Sequence, residues 1–155
     1  MKKTKLQIGD YVFIKSLYGG YHTTLIKIAA VHQGKVGYHK VPNKLNWVRI
    51  GLLEPILLTS EILEKNGFDK VPQSGCSNLY YWEFKEYEEE TDELLYHIKA
   101  YSNPFRGMYI FIENFGDCAT LSFNKQMESL HELQQALRLC GLDKLADNLK
   151  MEEKL

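Results

Sequence analysis

Long hydrophobic runs, paired cysteines and, over the first fifty residues, negative charge are what this sequence has least of. Nowhere do about 18 apolar residues follow one another, so no membrane-spanning helix is expected. The opening MKKTKLQIGDYV carries lysines without the apolar stretch of a signal peptide, and a cytoplasmic protein is expected. Cys76, Cys118 and Cys140 are odd in number and widely spaced. That fits neither a closed disulfide framework nor the C-x-x-C spacing of a zinc site. They read as buried or inert thiols, and no metal or cofactor is expected.

Negative charge is scarce in one place only. The formal net charge is −1, yet residues 1–50 hold nine Lys/Arg against a single carboxylate, Asp10, for a balance of +8. Residues 51–100 carry −7 and the remainder −2. A split of this kind points either to a polyanion-binding first half or to attraction between the halves.

With 155 residues, 45% of them hydrophobic, the chain has enough apolar material for one packed domain or two small subdomains sharing a core. Residues 11–58 read as strands. Val12 and Ile14 alternate with Tyr11, Phe13 and Lys15, and Ile26 and Ile28 alternate with Leu25 and Lys27, the two-residue period of half-buried strands. Gly19, Gly20 and Gly34 supply turns, and Pro42 and Asn43 break a pair of further strands. Short strands joined by tight turns predict a small SH3-like β-barrel. In LLTSEILEKNGF, Thr59 is an N-cap, Glu61 suits the positive end of the helix dipole, and Gly67 ends about two turns. Four aromatic and β-branched runs, YYWEFKEY, ELLYHIKAY, MYIFIENF and ATLSFNK, then predict an antiparallel meander. Its first hairpin has an acidic tip over residues 88–93, and turn chemistry marks residues 102–107 and Gly116-Asp117. Ser129 and Glu132 form a capping box that opens a helix with Leu130, Leu133, Leu137 and Cys140 on one face. A last short helix starts at Asp143.

Motifs for catalysis are missing. HELQQ at 131–135 starts like a zinc-protease H-E-x-x-H, but Gln135 stands where the second histidine belongs, and His131 reads as a first-turn residue packed on the sheet. His22, His32 and His39 have spacings that match no ligand pattern. LYGGYH is no phosphate loop. The carboxylates at 88–93 sit on a solvated tip that holds no defined acid–base pair. The chain is therefore not expected to be an enzyme.

What remains is GYHKVPNKLNWVRI, residues 37–50, with Lys40, Lys44 and Arg49 around Tyr38 and Trp47 and no carboxylate. If Val48 and Ile50 face a core, Trp47 and Arg49 face outward together. Cations attract phosphate and aromatics offer stacking surfaces, so Lys15, Lys27, Lys40, Lys44, Arg49, Tyr38 and Trp47 are candidate nucleic-acid contacts, with Lys35 adding to the field. The other reading is that the aromatics pack against the second half and the lysines protect sheet edges.

Three stretches, LQIGDYV, LEPILLTSEILEKNGF and HELQQALRLCGLDKL, resemble a family of small uncharacterised proteins of Bacteroidetes genomes, phages and mobile elements. The family pattern runs L-R-I-G-N-Y-V, then I-x-P-I-P-L-T-E-E-W-L-x-K-F-G-F, then V-H-Q-L-Q-N-L-Y-F-A-L-T-G-E-E-L. Here Asp10 stands for the usual Asn, Leu57 for the second proline, and Glu132 for the Gln between His131 and Leu133. The resemblance implies one shared architecture and a phage or mobile-element origin, with no activity or site residues to carry over.

The expectation is an α+β protein: an SH3-like barrel over 1–58, then a short helix, an antiparallel meander and C-terminal helices over 59–155. Its expected role is that of a non-enzymatic binding module, with nucleic acid as partner, or alternatively a protein-interaction or assembly module.

Overall fold

The computed structural model describes residues 5–15, 24–75, 79–102, 107–115 and 120–151. The turns expected at Gly19-Gly20 and Gly116-Asp117, residues 103–106, and Cys76, Cys118 and His22 lie outside them.

The architecture is α+β and mostly antiparallel. Strands β1 (Tyr11–Ile14), β2 (Thr24–Lys27) and β6 (Leu53–Glu54) form one three-stranded sheet with β1 at its centre. Strands β3 (Ala30–His32), β4 (Lys35–Val41) and β5 (Lys44–Arg49) form a second, in the order β3-β4-β5. Neither sheet closes into a barrel, so the SH3-like barrel expected from the sequence is not formed as one closed sheet. The chain bends at Ile28–Ala29 instead, where the Ile28 N–H donates to Asp10 and the Ala29 N–H to Gly37. The strand material is thereby split between two sheets facing a small core of Val12, Ile26, Ile28 and Val36.

On the other side of β1 the second reading of the sequence holds, that aromatics pack against the second half. Alternation does put Tyr11 and Phe13 opposite Val12, but that side is not solvent. Both rings pack against the larger core of the second half. Strand β1 is thus covered on both faces.

Helix α1 (Ser60–Lys65) is capped as expected, the Thr59 hydroxyl accepting from the Ile62 N–H, and the chain turns back at Gly67 so that Phe68 is buried. The meander has five strands: β7 (Asp69–Pro72), β8 (Tyr80–Tyr87), β9 (Leu94–Ser102), β10 (Met108–Phe115) and β11 (Thr120–Met127), in the order β11-β10-β9-β8-β7. Strand β7 was not legible, because DKVP holds one β-branched residue and a proline that only an edge tolerates. One face of this sheet, with Trp82, Ile98, Ala100, Ile110 and Ile112, packs on α2 (Leu130–Leu139) through Leu130, Leu133 and Leu137. Truncating any of these leucines to Ala costs about 2–5 kcal/mol. Helix α3 (Asp143–Asn148) follows α2.

The segments 6–12 and 53–68 converge on the start and buried face of α2. Leu58 N–H donates to the Glu128 carbonyl and Leu130 N–H to the Ile56 carbonyl, stitching the second of these segments to the start of the helix. Gln134, fully buried, accepts from the Tyr11 N–H at 2.9 Å and donates to the Gly9 and Ala146 carbonyls at 3.1 Å each. It supplies partners to the Tyr11 N–H and to the Gly9 and Ala146 carbonyls that burial would otherwise leave without water. Asp10 accepts from the Gln7 N–H, Gln135 Nε2 and Arg138 Nη1, each at 2.8 Å. Gly9, at φ +90°, is required twice over: the backbone is left-handed, and a Cβ would stand 2.6 Å from Arg138 Nη2.

Candidate nucleic-acid interface

The β4–β5 hairpin turns on two residues, Pro42 and Asn43, the latter left-handed at φ 63°. Val41 pairs with Lys44, but the next pair is His39 with Leu45, so Lys40 is an extra, bulged residue. This bulge decides the composition of both faces. Without it Val48 would sit opposite Gly37. With it Trp47 is opposite Gly37, and Arg49 is opposite Lys35.

On the inner face, Val36, Tyr38 and Val48 pack into the small core. On the outer face two cross-strand rows run across all three strands. One is His32, Lys35, Arg49; the other is Ala30, Gly37, Trp47. Trp47 is 46% exposed and its ring makes an edge contact with His32 at 6.4 Å between centroids. Gly37 permits a third element: a Cβ there would be 3.0 Å from Leu45 Cδ1, so Leu45 lies over the β4 backbone beside His39.

Like charges directly opposite each other destabilise a sheet. Lys35 and Arg49 form such a pair, and among the described residues no ion pair engages either of them, nor Lys40 or Lys44. Both side chains are exposed, so solvent screens the repulsion, but no carboxylate among the described residues neutralises it.

Of the seven candidates, the structure brings four to this sheet's exposed surface: Trp47 and Arg49 on the outer face, Lys40 and Lys44 beside the turn. Tyr38 is half-buried against the small core, on the face opposite Trp47. Lys15 pairs with Glu54 at 3.1 Å on the other sheet. Lys27 lies over the Tyr11 ring and donates to the Asp147 carbonyl at 3.1 Å. His32 and His39 join the outer face, a role their sequence spacing did not signal.

Elsewhere the chemistry is structural. Ser129 Oγ stands 3.4 Å from His131 Nε2, but both side chains are buried and the hydroxyl donates to Glu132 at 3.1 Å. Glu132 also accepts from the Ser129 N–H, completing the capping box. Burial pushes the His131 imidazole below its ordinary value, against the pull of the Asp10 and Glu132 carboxylates. Burial likewise raises the Cys140 thiol. Among the described residues no three His, Cys, Asp or Glu side chains are placed to share a metal ion, and no helix is long and apolar enough to cross a membrane.

No family model, no curated protein and no solved structure matches the chain. The geometry of the outer face therefore carries the functional reading by itself.

Proposed function

We propose that the protein is a non-enzymatic, cytoplasmic binding module whose SH3-like first half holds nucleic acid on the outer face of β3–β5. The observation that supports this most is the unpaired Lys35–Arg49 pair beside exposed Trp47. A polyanion relieves the repulsion between the two cations, and the indole offers a ring for a base. The family resemblance adds a phage or mobile-element origin to this reading.

The test is fluorescence anisotropy of labelled single-stranded and duplex oligonucleotides at about 50 mM salt. Lys35→Ala with Arg49→Ala is expected to weaken binding at least tenfold, while Lys15→Ala with Lys27→Ala leaves it nearly unchanged. Equal losses from both pairs, or no binding by the native protein, would sink the proposal.

A second reading, a protein-interaction surface, draws support from the open face of the meander. Tyr81, Tyr101 and Tyr109 are cross-strand neighbours there, with Phe111 beside them. Tyr81 stacks on Tyr101 at 5.4 Å, and Phe111 meets Tyr101 and Tyr109 edge-on at 5.8 and 5.0 Å. These rings spend their faces on one another, which stabilises the sheet and leaves less for a base to stack on. The nucleic-acid reading is preferred for β3–β5 for that reason.

A further inference from the structure

The end of the β4–β5 hairpin is built differently from its base. All seven residues from His39 to Leu45 are exposed. Successive side chains in a strand point to opposite faces, so neither face of this tip is covered by the rest of the protein. It is a free-standing arm, reaching roughly 10 Å beyond the packed sheet at about 3.4 Å per residue.

Its chemistry is ordered along its length. At the base stand Lys35, Arg49 and Trp47. At the tip, Val41 is 55% exposed and Pro42 is exposed beside it, with Leu45 one step behind. Lys40 and Lys44 flank these apolar groups, and no carboxylate lies anywhere in residues 11–53. Single exposed apolar residues are ordinary on protein surfaces. Val41 and Pro42 stand together at the end of one arm, between two lysines that no ion pair engages among the described residues, while Leu45 lies back over Gly37. The turn has a defined shape: proline fixes its own φ, Asn43 closes the turn in the left-handed region, and the Lys40 bulge adds local twist.

Resting on the nucleic-acid reading above, we infer that this arm selects duplex DNA and that Val41 and Pro42 act as a wedge between base pairs. Apolar side chains inserted from the minor groove unstack a step and kink the duplex by about 20–90°. The intact minor groove, about 6 Å wide, is too narrow for a hairpin end, so the tip enters only as the step unstacks and the groove opens, which ties binding to the bend. Lys40 and Lys44 then meet the phosphates on either side, and the row of Lys35 and Arg49 meets the backbone farther along. Unstacking costs least where the stack is already weak, so a mismatched or nicked duplex is the preferred substrate.

The experiment uses the whole chain and three oligonucleotides of equal length: an intact duplex, the same duplex with a central mismatch, and one single strand. Donor and acceptor dyes at the two duplex ends report bending, and anisotropy reports affinity. The native protein is expected to raise energy transfer on binding and to hold the mismatched duplex about tenfold more tightly than the intact one. Val41→Ser with Pro42→Ser keeps every charge and is expected to keep single-strand affinity while losing both the bend and the mismatch preference. Its melting temperature checks that it folds as the native protein does. A bound duplex that stays straight, or a Val41→Ser/Pro42→Ser protein that bends DNA like the native one, overturns the wedge and leaves the basic face standing. Failure to bind any of the three at about 50 mM salt overturns both together.

Discussion

Arg138 Nη1 lies 2.8 Å from Oδ1 of Asp10, a carboxylate with no exposed surface, although 128 residues separate them in the chain. The guanidinium also reaches Asp147 through Nη2 at 3.1 Å, so one side chain joins the start of β1, helix α2 and helix α3. Removing one partner of a buried ion pair leaves the other charge without compensation. Asp10→Ala and Arg138→Ala should each lower stability by about 3–5 kcal/mol in urea unfolding. The double variant should cost clearly less than the two singles added together, because the penalty is shared. Losses below about 1 kcal/mol would mean the pair is not structurally important.

Gly9 faces the same guanidinium. Gly9→Ala places a methyl group against Arg138 Nη2 on a left-handed backbone and should lower the melting temperature markedly. In an Arg138→Ala background the tightest clash disappears while the backbone strain and a 3.1 Å approach to Asp147 Oδ1 persist, so the added loss should shrink. An identical loss in both backgrounds would contradict the packing described.

His131 gives the fold an acid-sensitive element. Burial holds its folded-state value below the ordinary 6.5, opposed by the Asp10 and Glu132 carboxylates, and its Nδ1 has no partner. The unfolded chain therefore takes up the proton first. The stability contributed by the neutral ring is full above about pH 6.5 and is lost as the pH falls toward the depressed folded value. Urea unfolding between pH 7.5 and 5 should show native stability falling on the acid side. His131→Leu should flatten that fall; an unchanged slope would remove His131 from the explanation.

The two tryptophans separate the site from the core. Trp82 is buried and its Nε1 donates to Glu64 at 2.8 Å, whereas Trp47 is exposed. Oligonucleotide should quench about half of the emission or less, all of it from Trp47. Trp47→Phe should abolish the response and Trp82→Phe should retain it. A response that survives in Trp47→Phe would move the ligand away from β5.

Local signals were legible where they were complete within a few residues. Thr59 as a cap, the Ser129–Glu132 box and the four long meander strands all appear at the places that hydrophobic period and capping chemistry require. Long-range decisions were not. Tyr11 and Phe13 carry the pattern of a half-exposed strand, and only the placement of the second half covers them. Gln134 reads as a polar helix residue, yet it is buried because its amide substitutes for a strand partner. At the candidate site, Trp47 and Arg49 were correctly turned outward by alternation. Lys35 was read as adding to the basic field, but its place opposite Arg49 and the role of His32 were not legible, because the bulge at Lys40 sets the register and no local signal marks it. That one residue separates Trp47 from Tyr38, which the sequence had grouped with it.

The salt dependence of binding tests the central claim most directly. If Lys35, Lys40, Lys44 and Arg49 each neutralise a phosphate, duplex affinity should fall roughly a hundredfold between about 50 and 200 mM salt. With Lys35→Ala and Arg49→Ala together, the slope of log affinity against log salt should drop to about half. A shallow slope in the native protein, or one that the double variant leaves unchanged, would contradict a working role for the β3–β5 face.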